Sequence, residues 1–308
     1  MIWPGRLRGQ RPLNVPNSPG LLLKTFRGHE YFLKKVAEVF LQTIYPPKCM
    51  VCRAFLSLPG DKTFSMERSC KDEEETPGKD FPAFFSNEMA PFLCPSCITD
   101  FVPFSAPFCE KCGTLFKSRE GKNRICGPCL ENPRNPYIGK ARSVGTYEKV
   151  LMNLIQAFKY KDKNQLAEPL GRLLQKAFLD NWSPGEIDMI LPVPLHRKKA
   201  RHRGFNQSWL MIRNWPDLEQ IGFKDFLITH QGLVRKRHTE PQAGLSRIQR
   251  EENIQGAFEV LDPESMTSKR VLLVDDVFTT GATLNECARV LLKAGVLRVD
   301  VLTLARAL

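Results

Sequence analysis

The sequence predicts an α/β domain built on a parallel sheet, preceded by a small cysteine-rich module. Two observations carry that expectation. The apolar run Val-Leu-Leu-Val at residues 271–274 is followed at once by Asp275 and Asp276, then a turn rich in threonine and glycine. Behind it Leu284, Ala288, Leu291 and Leu292 recur at helical spacing up to Gly295. Upstream, four Cys-x-x-Cys pairs crowd into residues 49–129. A short uninterrupted apolar run reads as a strand buried on both faces, the kind found inside parallel sheets. Glycine just past the last periodic residue is a helix terminator.

The strand–turn–helix stretch has a chemistry of its own. A helix start offers unpaired N–H groups and a positive dipole end, which together bind phosphate. Gly281 lets the backbone come close to an anion, with Ala282 beside it, and Thr279, Thr280 and Thr283 add hydroxyl donors. Asp275 and Asp276 would repel phosphate but accept hydrogen bonds from sugar hydroxyls. A ligand with a phosphate at one end and a ribose diol a few ångströms away suits both halves. The plainer alternative is an ordinary βα unit with a capped helix, and two adjacent aspartates after a buried strand argue against it. Ligands of open α/β sheets sit at this kind of junction, beyond a strand's carboxyl end.

Val271-Leu-Leu-Val-Asp-Asp-Val-Phe-Thr-Thr-Gly-Ala-Thr283 resembles the phosphoribosyl pyrophosphate (PRPP) motif of type I phosphoribosyltransferases. In that family the aspartates hold the ribose hydroxyls and the Thr/Gly loop holds the 5′-phosphate. The chain as a whole more closely resembles the ComF/GntX family of competence-associated proteins, which join a double-zinc-ribbon-like N-terminus to such a domain. The resemblance spans residues 45–308, apart from an insertion at about 53–93. It implies a cysteine module over 45–136 and a phosphoribosyltransferase-like domain over 137–308; residues 1–44, outside it, read by composition and spacing as a basic arm and an amphipathic helix.

The chain has 308 residues, 42% apolar and 25% charged, normal for a soluble globular protein. Its net charge of +12 favours polyanionic partners or substrates, and says nothing about fold. Residues 1–20 hold Pro4, Pro12, Pro16 and Pro19 with Arg6, Arg8 and Arg11, a composition too polar for a core. No apolar stretch precedes a small-residue cleavage site, which argues against a signal peptide and for a cytoplasmic protein. Leu33, Val36, Ala37, Phe40, Leu41 and Ile44 share one helical face, with too many charges between them to span a membrane. That face packs on the protein or, alternatively, lies on the inner membrane surface.

The pairs Cys49/Cys52, Cys94/Cys97, Cys109/Cys112 and Cys126/Cys129 each aim two thiolates at one metal, and two pairs complete a tetrahedral zinc site. The last two, thirteen residues apart, have nearly the spacing of a zinc ribbon. Sequential pairing gives one structural zinc on Cys49, Cys52, Cys94 and Cys97 and a second on Cys109, Cys112, Cys126 and Cys129. Interleaved pairing stays open. Disulfides are the competing reading, and a reducing compartment disfavours them. The insertion, with Glu67, Asp72, Glu73, Glu74, Glu75, Pro77, Gly78 and Pro82, reads as a solvated, mobile loop carrying a free Cys70. Cys287 reads as a small core residue.

From about Tyr137 the pattern turns to alternating helices and strands. Tyr147, Val150, Leu151, Leu154, Ile155 and Phe158 trace an amphipathic helix, and Leu170, Leu173, Leu174, Ala177 and Phe178 a second with Pro169 in its first turn. The apolar run at 187–193 must turn at Pro192 and Pro194. The basic stretch after it, from His196 to Gln207, is by the resemblance the pyrophosphate loop. Cations there would meet the charge growing on a leaving diphosphate, and Arg203 beside Gly204 is the residue placed to do so. Residues 235–246 resemble the family's flexible loop, with Arg235 and Arg237 for the diphosphate. Arg247, Arg250, Glu251, Glu252 and Asn253 read as a surface helix, and Val299, Val301, Leu302 and Leu304 as the closing strand.

Two functions follow. The first is phosphoribosyl transfer from PRPP, with Asp275, Asp276, Arg203 and Arg237 at the reacting end, Mg²⁺ arriving with PRPP, and release of pyrophosphate to an acceptor no stretch identifies. The second is a non-catalytic, PRPP-responsive factor binding single-stranded DNA or other DNA-uptake proteins through the cysteine module and basic loops.

Overall fold

In the computed structural model the described residues are 45–56, 80–118, 120–160, 163–215, 218, 222–223, 226–240 and 244–307. The expected basic arm and amphipathic helix, the acidic run with Cys70, and residues 241–243 of the flexible loop lie outside them. Lys48–Leu308 forms one compact unit.

Among its described residues the cysteine region contributes three short helices, α1 (Phe81–Met89), α2 (Pro95–Thr99) and α3 (Gly127–Glu131). Helix α1 corrects the reading of the insertion as one solvated loop through residue 93. Phe81, Phe85 and Met89 fall at helical spacing, are buried, and pack with Leu93 and Phe101. The Phe85 and Phe101 rings stack at 3.8 Å. The charge run upstream masked an apolar helical repeat that begins only at Phe81.

The domain that follows runs β1 (Ala141–Thr146), α4 (Lys149–Tyr160), α5 (Ala167–Leu179), β2 (Met189–Pro192), α6 (Arg197–Arg203) and α7 (Gln207–Ile212). It continues with β3 (Leu227–Ile228), β4 (Leu233–Arg235), α8 (Arg247–Ile254), β5 (Phe258–Val260), β6 (Arg270–Phe278), α9 (Ala282–Lys293) and β7 (Arg298–Arg306). Five strands form one sheet in the order β1-β7-β6-β2-β3, and every pairing is parallel. Strands β4 and β5 form a separate antiparallel pair.

Successive residues of a strand point to opposite faces, and β6 obeys this with apolar residues both ways. Leu272 and Val274 join the core beneath α4, α5 and α7, with Leu302 and Leu304 of β7. Val271 and Leu273 join the core under α9, with Val299 and Val301. Helix α4 buries Val150, Leu151, Leu154, Ile155 and Phe158 in the first layer, so its C-terminal turn reaches the carboxyl edge of the sheet. Cys287 is fully buried within the second core, as a small core residue should be.

Candidate functional site

Strand β6 is longer than its apolar run. On the β2 side the ladder stops at Pro192 opposite Val274, where the Val193 N–H donates to the Val274 carbonyl at 2.9 Å. On the β7 side it continues through Asp275 opposite Thr303 to Phe278 opposite Arg306. Asp275 and Asp276 therefore stand where one neighbour has left the sheet and the other still holds the strand straight. Proline cannot donate to the ladder, so Pro192 and Pro194 release β2 at this point. The result is a cleft of about 390 Å³ with Asp275, Asp276, Val277, Thr279, Gly281, Ala282 and Thr283 along one side and Tyr147, Lys159 and Arg250 among its other residues.

The carboxylates are unequal. Asp276 is buried, and Lys159 Nζ lies 2.7 Å from its Oδ1. Burial alone would lower Lys159, but Asp276 beside it, with Asp275 behind, leaves it raised. Asp275 Oδ1 accepts from Ser208 Oγ at 3.2 Å and from the Asp276 N–H at 2.9 Å. Burial first, then the like charge of Asp276, pushes Asp275 up to about 7 against those bonds and against Lys159. Near neutral pH Asp275 is thus a carboxyl on the verge of ionising, able to accept and donate toward a diol.

Gly281 stands as N-cap of α9 with φ +81°, a left-handed conformation that penalises any side chain. A Cβ there would sit 2.7 Å from Asn135 Oδ1 and from Phe278 Cζ. Thr280 Oγ1 accepts from the Ala282 N–H at 3.4 Å, Thr279 is exposed, and Thr283 is half-buried on the first turn of α9.

The basic stretch is a helix, α6, where the sequence reading has a loop. His196 caps it by accepting from the Lys198 N–H at 3.2 Å, and Gly204, at φ +77°, ends it. Arg203 lies over the Tyr160 ring at 5.0 Å and donates to Tyr160 Oη at 3.2 Å and Gln207 Oε1 at 3.3 Å. Lys199 is held below its usual value by burial and by the charges of Arg235, Arg203 and Lys159. Three cations are therefore within electrostatic reach of Lys199. Arg235 donates to Thr239 Oγ1 and lies 5.5 Å from the Phe258 ring, with its Nε buried and unpartnered. Arg237 instead donates to the Asn253 and Gln255 carbonyls, each at 2.8 Å, and braces the end of α8. Arg197 and Lys198 are exposed.

Sequence reasoning missed Lys159, Ser208, Tyr147 and the cleft-facing role of Arg250. Each comes from an element distant in sequence from β6, and no local spacing announces it. Lys159 carried one weak signal: it is the basic residue in the last turn of an amphipathic helix.

The cysteines gather as two sets of four, Cys49/Cys52/Cys94/Cys97 and Cys109/Cys112/Cys126/Cys129, with ligand atoms within 4.8 Å of one another in each. Tetrahedral zinc with bonds of about 2.3 Å puts sulfurs about 3.8 Å apart. Cys52 and Cys94 sulfurs are 3.5 Å apart, Cys112 and Cys126 sulfurs 3.8 Å. The thiols titrate unevenly. The Ser96 hydroxyl, then the Cys97 backbone, lowers Cys94 to about 6, while burial and the neighbouring thiols raise Cys97. Such a group is suited to a dication, and each set could hold a zinc ion.

Residues 231–308 match the family model described as "Phosphoribosyl transferase domain". Competence protein F of Haemophilus influenzae is 33% identical over 222 residues, 70% of this chain and 90% of that protein. DNA utilization protein YhgH of Salmonella typhi is 34% identical over 186 residues, 59% of this chain and 78% of that one. Competence protein ComFC of Bacillus subtilis is 24% identical over 208 residues, covering 66% and 79%. With its all-parallel sheet, its matching C-terminal unit and its N-terminal cysteine module, the chain belongs to the ComF family of competence proteins and has their type I phosphoribosyltransferase-like fold.

Proposed function

We propose that this chain binds PRPP with Mg²⁺ and transfers its phosphoribosyl group to an acceptor, releasing pyrophosphate. The observation that carries the reading is the juxtaposition in one cleft of Asp275 and Asp276 with the Gly281 turn at the start of α9. The turn takes the 5′-phosphate on backbone N–H groups, and the aspartates take the ribose diol. Mg²⁺ keeps waters and uses few carboxylates, so it would be held mostly by PRPP oxygens and water. When bound it neutralises diphosphate charge. Lys199, Arg203, Arg235 and Lys159 meet the diphosphate and stabilise the charge it gains on leaving. Catalysis rests on orientation and electrostatics, with no covalent protein nucleophile.

Lys199 belongs with this group by its charged neighbours, whereas Arg197 and Lys198 face solvent. Arg235→Ala is therefore expected to weaken PRPP binding about tenfold or more at any salt concentration, and Arg197→Ala/Lys198→Ala to leave it within about twofold, since charge-assisted contacts carry roughly 1.5–3 kcal/mol. Calorimetry at two ionic strengths checks both. Turnover is tested by pyrophosphate release from PRPP with a panel of purines, pyrimidines and amines. Release with at least one acceptor supports transfer. Tight PRPP binding with no release under any acceptor leaves a PRPP-responsive binding protein.

That second reading draws on the exposed Arg197 and Lys198 and on relatives named for competence and DNA utilization. In it, single-stranded DNA collects on these cations with a steep salt dependence, and other DNA-uptake proteins dock on the cysteine module. No helix among the described residues is long and apolar enough to cross a membrane. Two all-thiol sets that must stay reduced to bind metal favour the cytoplasm as the site of action.

A further inference from the structure

The second cysteine set is tied to the phosphate turn by two independent routes. The first runs through Arg306, the last residue of β7, which is nearly buried. Its Nη1 donates to the Cys112 carbonyl at 2.6 Å and its Nη2 to Thr114 Oγ1 at 3.0 Å. The same guanidinium lies 4.3 Å from the centre of the Phe278 ring. Phe278 in turn abuts the turn, its Cζ 2.7 Å from where a Gly281 Cβ would be.

The second route leaves the set on its other side, past Cys129 and α3. The Asn135 side-chain amide packs on the same glycine, with Oδ1 at 2.7 Å and Nδ2 at 2.8 Å from the Cβ position. The Tyr137 N–H donates to Asn285 Oδ1, on α9, at 3.3 Å. Arg247, at the start of α8, donates to the Arg134 carbonyl at 3.1 Å. The segment 134–138 thus touches both the phosphate turn and the helix that follows the flexible loop.

We propose that the Cys109/Cys112/Cys126/Cys129 centre is a positioning element of the phosphate turn, acting through Asn135 and Arg306. Metal ligation fixes the two chain segments that carry the set. The Cys112 segment presents its carbonyl to Arg306, which holds Phe278 against one side of Gly281. The Cys129 segment delivers Asn135 to the other side. Glycine is free to adopt φ +81° and equally free to leave it, and an anion site built from backbone N–H groups depends on those groups being held in place. Loss of metal therefore loosens the turn although no thiolate reaches it. The part of this inference that concerns PRPP rests on the function proposed above; the part that concerns the turn does not.

Full-length, zinc-loaded protein is compared with Cys126→Ser/Cys129→Ser, Asn135→Ala and Arg306→Leu variants. Amide exchange over residues 279–285 and PRPP titration are the readouts, with Arg306→Lys as the conservative control. Each of the first three is expected to speed exchange at the turn and weaken PRPP about tenfold, within the usual range of coupling between sites. Asn135→Ala should do so while zinc content stays unchanged, and Arg306→Lys should recover part of the loss. Unchanged exchange in the three variants overturns the proposal. Acceleration by Asn135→Ala, but not by a folded cysteine variant, overturns the role of the metal centre. If the cysteine variant does not fold, exchange over residues 279–285 is compared in wild-type protein before and after mild chelation of its zinc, and unchanged exchange overturns the role of the metal centre. If zinc-loaded wild type binds no PRPP, the proposed function fails while the exchange comparison still settles the coupling.

Discussion

Asp275→Asn is expected to abolish PRPP binding yet raise the melting temperature of the ligand-free protein at pH 8, while Lys159→Met lowers it. Asp275 is pushed up to about 7 by burial and by Asp276, well above the value of about 3.9 for a free carboxyl. Between those values the folded state holds a proton that the unfolded state has lost, so stability falls as pH rises through the interval. Asparagine keeps the shape without the charge. Its advantage should be absent near pH 4, grow toward pH 7 and stay level above it. Lys159→Met removes the cation 2.7 Å from Asp276 and leaves that buried carboxylate without a counter-charge, next to Asp275. Breaking a buried pair by deleting one partner costs about 3 kcal/mol or more, and here the cost should shrink on acidification as Asp275 takes up its proton. Thermal melts from pH 4 to 8 check both signs. A destabilising Asp275→Asn at pH 8 would mean the carboxylate is a structural hydrogen-bond acceptor and not a group held charged for a ligand.

The second large effect concerns metal. Purified protein is expected to carry two zinc ions per chain, and chelation is expected to make eight thiols newly reactive. Cys49, Cys94, Cys97 and Cys109 are buried, and the first set shares a core with Phe85, Met89 and the helices over the sheet. Structural zinc of this ligand type carries on the order of 10 kcal/mol of folding free energy. Stripping it should therefore lower the melting temperature steeply and expose the Phe85–Phe101 stack, visible as dye binding. Elemental analysis and thiol titration before and after chelation measure it. A metal content near one, or several thiols beyond that of Cys70 already reactive in the untreated protein, would leave one set without its ion.

What the sequence made legible was local. The β6 run, its aspartates, the Gly281 turn and α9 lie within 24 consecutive residues of one βα unit, and the Cys-x-x-Cys pairs announce themselves by spacing. Sequential pairing, one of two arrangements the spacing allowed, is the one the sulfurs adopt. What was not legible depends on distant elements meeting. Lys159 reaches Asp276 because α4 buries Phe158 and ends at the carboxyl edge of the sheet. Ser208 reaches Asp275 because Asn206 caps α7, accepting from the Ser208 N–H at 3.0 Å, and donates to the Val193 carbonyl at 3.0 Å. Among the basic residues the sequence singles out Arg203 and Arg237 and not Lys199, and what each one meets is visible only once α6 and the carbonyls ending α8 are in place. The stretch from Phe81 misled because a dense run of acidic residues just before it hid the start of α1.

The most direct test of the account is calorimetric titration of the zinc-loaded protein, in Mg²⁺, with PRPP, ribose 5-phosphate and pyrophosphate in turn. A cleft that joins a phosphate turn, a diol-binding acidic pair and a cationic group should bind PRPP at least about tenfold more tightly than either fragment, since each half adds contacts the other lacks. The Asp275→Asn/Asp276→Asn variant should lose PRPP and ribose 5-phosphate together while keeping its fold and its zinc. Binding of pyrophosphate as tight as PRPP, unaffected by the aspartate changes, would contradict the account and reduce the cleft to a general anion site.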